Sequence, residues 1–156
     1  MSHPRPGLFP FVVLLFVVCG CGGDQKKTVP ASRDADPAAF AAALDSGPRA
    51  AETLTLDSAL ADRGAILFDT LSCSDCHTLG ESDLAPDLRT VLDQRTVSWL
   101  KLQITDPEWM NTHDPIAQAL IEEYDLEMVD MGASEGDAEA ILHFLLREQE
   151  PVSPSE

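Results

Sequence analysis

Five consecutive residues, Cys73-Ser74-Asp75-Cys76-His77, have the types and spacing to hold an iron porphyrin. Two thiols three positions apart can each add to one vinyl group of a haem, making two thioethers. An imidazole directly after the second thiol can then face the iron from the proximal side. The pattern C-x-x-C-H is the attachment signature of c-type haem. C-x-x-C alone is shared with redox dithiols and half zinc sites, and the adjoining histidine separates this run from them.

The remaining cysteines belong to export. Arg5 supplies a positive start, and Leu8 to Val18 is an apolar run interrupted by Pro10. That run is shorter than the roughly 20 residues a membrane span needs, and it suits a secretory signal. It ends in Val18-Cys19-Gly20-Cys21, which resembles the lipobox of bacterial lipoproteins. The resemblance implies a signal peptide over 1–20 and a lipid on Cys21. Cys19 fits less well, because the bulky Val18 precedes it. The plainer alternatives are an uncleaved anchor or a simple secretory signal. With Cys19 and Cys21 assigned to export and Cys73 and Cys76 to the motif, no pair remains for a structural disulfide. A free pair would oxidise outside the cytoplasm, and haem attachment removes that liability.

Residues 21–51 are rich in Gly, Ala, Pro, Ser and Asp, with Phe40 and Leu44 in an Ala-rich patch that could make a helical turn or two. They read as a flexible tether, with a reach of roughly 30 Å. The domain proper spans 52–150, and 151–156 is a tail. Nearly all the negative charge lies in residues 52–156, which hold 23 acidic and 5 basic residues. Nucleic acid and anionic lipid are disfavoured as partners, and a redox protein with a cationic docking patch is favoured. The bland alternatives are solubility and adaptation to a salty habitat.

The elements that must position the motif read as helices. One runs from about Asp57 to Leu71 and leads into Cys73. A second runs from Thr96 to Thr105 and is stopped by Pro107. A third starts at the Asp114 cap with Pro115 at its first position. The last starts at Ser134, with Asp137 completing a capping box, and Pro151 ends it. No alternating strand pattern of useful length occurs, so the fold class is all-α. A head of about 100 residues gains from an extra core element, which a haem would supply.

With these motifs in order, residues from about Ala61 to Arg147 resemble a class I monohaem cytochrome c domain. The matching sequence is Gly64-x-x-x-Phe68, Cys73-x-x-Cys76-His77, Pro86-x-Leu88, a Met-containing segment, then a final helix with an aromatic. The resemblance implies that Gly64 lets the first and last helices cross closely, against Phe144. It also implies that the Pro86 carbonyl holds the proximal imidazole. Ala85 stands where the family has glycine, and Met128-Val129-Asp130-Met131-Gly132 lacks the family's proline after the first methionine.

By the same resemblance Met128 is the sixth iron ligand, with Met131 as backup and Met110, in a loop after Trp109, a distant third. A methionine ligand raises the potential, a histidine lowers it, and an open site admits small molecules. His3 goes with the signal. His113 reads as a solvated loop residue, and His143 as a surface or boundary residue on the last helix. Arg95 and Trp99 are candidates for the haem propionates, or else a surface arginine and a core tryptophan. The run Glu122, Glu123, Asp125, Glu127 and Asp130 is a solvated face or an acidic docking rim beside Met128.

These readings predict an electron carrier with one covalent haem c and His77/Met128 ligation. It would be held by a lipid anchor on the periplasmic side of a bacterial membrane. No P-loop, second haem motif or nucleophile–base pair is visible, so an enzymatic role is not expected. A small-gas sensor with a weak sixth ligand is the runner-up. A haem-free dithiol protein handling copper or disulfides comes third, and it leaves His77 unexplained.

Overall fold

Helix caps divide this chain. A computed structural model describes residues 32–149. The signal segment 1–20, His3, Cys21 and the tail 151–156 lie outside the described residues. In chain order the helices are α1 (Pro37–Leu44), α2 (Ala50–Thr53), α3 (Ser58–Thr70), α4 (Val91–Gln94), α5 (Val97–Thr105), α6 (Pro107–His113), α7 (Pro115–Tyr124) and α8 (Glu135–Glu148). A single 3₁₀ turn, Cys73–Asp75, lies between α3 and α4. Among the described residues there is no strand, so the all-α expectation holds.

Each expected cap is made. Asp57 accepts from the N–H groups of Ala59 and Leu60 at 2.9 and 3.1 Å, starting α3. Thr96 accepts from Trp99 N at 3.1 Å, starting α5. Asp114 is 1% exposed and accepts from Ile116 and Ala117, starting α7. Ser134 and Asp137 form the reciprocal capping box of α8. The hydrogen bonds from the Ser134 hydroxyl and N–H hold the Asp137 carboxyl below its ordinary value of 3.8. A carboxyl depressed by folding stabilises at any pH above its unfolded value, and that contribution is lost as pH falls through the folded value. The box is therefore intact at neutral pH and fails only below about pH 3.8. Ser134→Ala should cost about 1 kcal/mol in urea denaturation at pH 7, with a smaller difference in strong acid.

α3 and α8 cross at the centre. Gly64 faces Ala140 and Phe144, and the Phe68 and Phe144 rings lie 5.3 Å apart. Phe68, Leu92, Trp99, Leu100, Ile141, Leu142 and Leu145 are buried around this crossing. Burial on this scale is the main term holding so small an assembly together.

Several details correct the sequence reading. Residues 37–44 and 50–53 are helical and packed against the head; the helical turn or two expected around Phe40 and Leu44 is present, while the flexible tether expected over 21–51 is, from 37 on, a docked arm. Asp36 caps α1, and Pro37 opens it. Ala41 and Ala50 are buried, Phe40 meets Trp109 edge-on at 5.5 Å, and Ala50 N donates to Arg95 O at 2.8 Å. Arg33 pairs with Asp106. Pro107 does not only stop α5. It opens α6, because Asp106 caps that helix by accepting from Trp109 N. Met110 therefore sits in a helix and is fully buried. His113 is helical too, stacked on Trp109 at 4.7 Å, with its Nδ1 2.9 Å from Trp109 O. His143 is buried, not at the surface, and its Nδ1 accepts from Asp57 N at 3.1 Å.

Candidate functional site

The motif is formed by a sharp reversal at the end of α3. Ser72 takes a left-handed conformation, φ 55°, and turns the chain into the 3₁₀ segment. Cys73 O then accepts from Cys76 N at 3.3 Å and His77 N at 3.0 Å. This tight turn keeps both thiols and the imidazole on one short loop. Burial pushes the Cys73 thiol above its ordinary value, so it is protonated at neutral pH.

The next loop orients His77. Its Nδ1 lies 3.0 Å from Pro86 O. A carbonyl only accepts, so Nδ1 carries the proton and the Nε2 lone pair is left for a metal. Burial pushes the imidazole below its ordinary value, against the opposite pull of the Pro86 carbonyl. A neutral ring is the state that can ligate. Asp87 stiffens this loop from within, accepting from Gly80 N at 2.7 Å and Arg89 N at 3.0 Å.

One cleft is lined by Cys73, Cys76, His77, Pro86, Arg95, Trp99, Met128 and Met131, together with apolar Phe68, Leu100 and Ile141. The structure thus brings together residues 73 positions apart, Phe68 and Ile141. It leaves out Met110, His113 and His143, none of which lines the cleft. Met128 and Met131 differ. Met131 is 40% exposed. Met128 is partly buried and held at both ends: Asn111 Nδ2 donates to its carbonyl at 2.9 Å, and Gln103 Nε2 to its sulfur at 3.4 Å. Neither Asn111 nor Gln103 was picked out from sequence, since each touches Met128 only through tertiary packing.

The cleft fits a haem by its chemistry. Its lining is mostly apolar, as a porphyrin face requires. A buried donor, Trp99 Nε1, has no protein hydrogen-bond partner, which suits a carboxylate brought in by a ligand. Arg95 lies beside it, 5.3 Å from the Trp99 ring centre, with Nη1 3.3 Å from Asp45 Oδ2. Asp45 also accepts from Thr96 N at 2.9 Å, so the N-terminal arm braces the start of α5. No helix among the described residues is long and apolar enough to cross a membrane.

Comparison with known proteins follows the same outline. A family model described as Cytochrome c matches residues 61–148. A cytochrome c from Rhodothermus marinus has a similar structure, at 36% identity and a TM-score of 0.59, covering 72% of this chain and 97% of that one. An engineered cytochrome c from the same organism is 34% identical at a TM-score of 0.58, with the same coverage. That engineered protein bound to a carbene intermediate is 34% identical at a TM-score of 0.56, again over 72% of this chain and 97% of that one. No curated protein sequence matches.

Proposed function

The chain belongs to the cytochrome c family, as a class I domain that carries haem c covalently and transfers electrons, and from this premise we propose the ligands, anchor and partner that complete its function. His77 and Met128 are the axial ligands, and Cys73 and Cys76 carry the thioethers. A lipid on Cys21 tethers the domain on the periplasmic side of a bacterial membrane. Haem bound there supplies an iron that exchanges single electrons between its ferric and ferrous states.

The observation that carries this reading is the convergence of a proton-bearing Nδ1 on Pro86 O, a free Nε2 and the Met128 sulfur on one cleft. Pro86 fixes the His77 tautomer, and Asn111 fixes the Met128 backbone. Trp99 and Arg95 offer donors to the propionates, which would otherwise be costly charges in an apolar cleft.

Leu84, Leu126, Val129 and Met131 are each at least 40% exposed at the cleft mouth. Exposed Glu81, Asp83, Asp125, Glu127 and Asp130 flank them in sequence. An apolar centre with acidic flanks suits a redox protein whose docking patch is apolar with a basic rim. Opposite charge steers such encounters, and salt weakens them.

Met128→Ala should abolish the sulfur-to-iron charge-transfer band of the ferric protein and give a high-spin spectrum, while Met131→Leu keeps the band. The reverse pattern would assign Met131. A small-molecule binder is the second reading, favoured by one fact: an engineered cytochrome c similar to this chain has been solved bound to a carbene intermediate. Carbon monoxide binding to the ferrous wild-type protein at a sixth position that Met128 does not hold would support it.

A further inference from the structure

Gln103 stands one helical turn after Trp99 on α5, so both face the cleft. Its Nε2 lies 3.4 Å from Met128 Sδ. Its Oε1 is buried with no protein hydrogen-bond partner. The amide orientation has a physical cause: turned over, it would set its oxygen against the sulfur, two acceptors face to face. A thioether sulfur has two lone pairs. One can bind a metal while the other accepts the Gln103 N–H. Asn111, on α6, holds the carbonyl of the same residue at 2.9 Å. The methionine is thus clamped by side chains from two helices, one at its sulfur and one at its backbone.

We propose that Gln103 is a positioning residue for the distal ligand: its amide N–H holds the Met128 sulfur in place and polarises it, raising the reduction potential. The proposal rests on Met128 as the axial ligand. The hydrogen bond draws electron density from the sulfur. A less electron-rich thioether stabilises ferric iron less than ferrous iron, so the reduced state gains. The same bond must be broken when the methionine swings away, so it slows displacement of Met128 by outside ligands. Gln103 takes no part in the electron transfer itself and acts only through Met128.

Gln103→Leu keeps similar bulk and removes the donor. In the haem-loaded protein it should lower the midpoint potential in a redox titration. It should also tighten binding of added imidazole to the ferric form about fivefold, the worth of one net hydrogen bond. The thermal midpoint should move little by comparison. In the ferrous wild-type protein, nuclear Overhauser contacts should link the Gln103 side-chain amide protons to the Met128 methyl group, a readout that requires no variant to fold. A wild-type ferric spectrum without the sulfur-to-iron band would overturn the ligation and this proposal together. A wild-type protein that has the band but lacks the Overhauser contacts would overturn the Gln103 proposal alone. So would a Gln103→Leu variant with unchanged potential and imidazole binding.

Discussion

Replacing both Cys73 and Cys76 with alanine should remove every covalently held haem. The intact mass of the exported protein should fall to that of the polypeptide, and acid–acetone should strip any residual pigment. The argument is one of bond type. The proposed ligands His77 and Met128 would offer only coordinate bonds, which acid breaks by protonating the imidazole and unfolding the chain. A thioether survives both. Replacing Cys76 alone should leave one thioether through Cys73, so the pigment stays attached at lower yield. The double variant should also lose its cooperative melt. The cleft is lined mostly by apolar side chains, and without a bound porphyrin it loses the apolar area that the porphyrin would cover, worth roughly 25 cal/mol per Å². A domain of this size has about 5–15 kcal/mol of stability to lose. Retention of pigment through acid–acetone by the double variant would show that attachment lies elsewhere.

The parts of the site that the sequence made legible are those with local signals. C-x-x-C-H is contiguous, and the Asp57, Thr96, Asp114 and Ser134 caps each sit next to the helix they start. Gly64 and Pro86 became legible through the family pattern; Gly64 lies against Ala140 and Phe144, and Pro86 O lies 3.0 Å from His77 Nδ1. The unread parts are instructive. Asp106-Pro107 repeats the signal of Asp114-Pro115, a capping carboxylate followed by proline at the first helical position. The first pair was read only as the end of α5, because a proline stops one helix and starts another with the same chemistry. That misreading put Met110 in a loop and hid Asn111.

The N-terminal arm escaped for a different reason. Beyond the Phe40 ring on Trp109, it buries Ala41 and Ala50, whose side chains carry almost no hydrophobic signal, and its remaining anchors are polar bonds. Asp45 accepts from Thr96 N, Thr96 Oγ1 donates to Leu44 O at 2.5 Å, and Ala50 N donates to Arg95 O. Periodicity registers apolar faces, and no periodicity reports a carboxylate that finds its partner 51 residues away. Gln103 is hidden in the same way. A glutamine on a helix reads as solvated until the fold sets a sulfur beside it.

Gly64→Ala tests the crossing on which all of this hangs. A methyl group built at Gly64 would lie 2.0 Å from Ala140 O, 2.6 Å from Ala140 C and 2.8 Å from Phe144 Cβ. The nearest of these are backbone atoms, so no side-chain rotation relieves the clash. Either α3 and α8 separate or one of them bends. Separation would loosen the packing of Phe68 on Phe144 and of α8 against α5. Two effects compete. Alanine favours a helix interior over glycine by about 1 kcal/mol. Overpacking against a rigid backbone costs typically 1–3 kcal/mol and sometimes more. The geometry puts Gly64 at the upper end, so a net loss of about 2 kcal/mol is expected in urea denaturation of the haem-loaded protein. Gly136→Ala isolates the first effect. Its methyl group would meet only Arg63 Nη1 and Ser134 Oγ, both at 3.9 Å, which is ordinary contact. That variant should match or exceed the parent by up to about 1 kcal/mol. Opposite signs for the same glycine-to-alanine change in two helices that touch would place the cost in the crossing itself. Equal effects at the two positions would mean that α3 and α8 do not pack at Gly64.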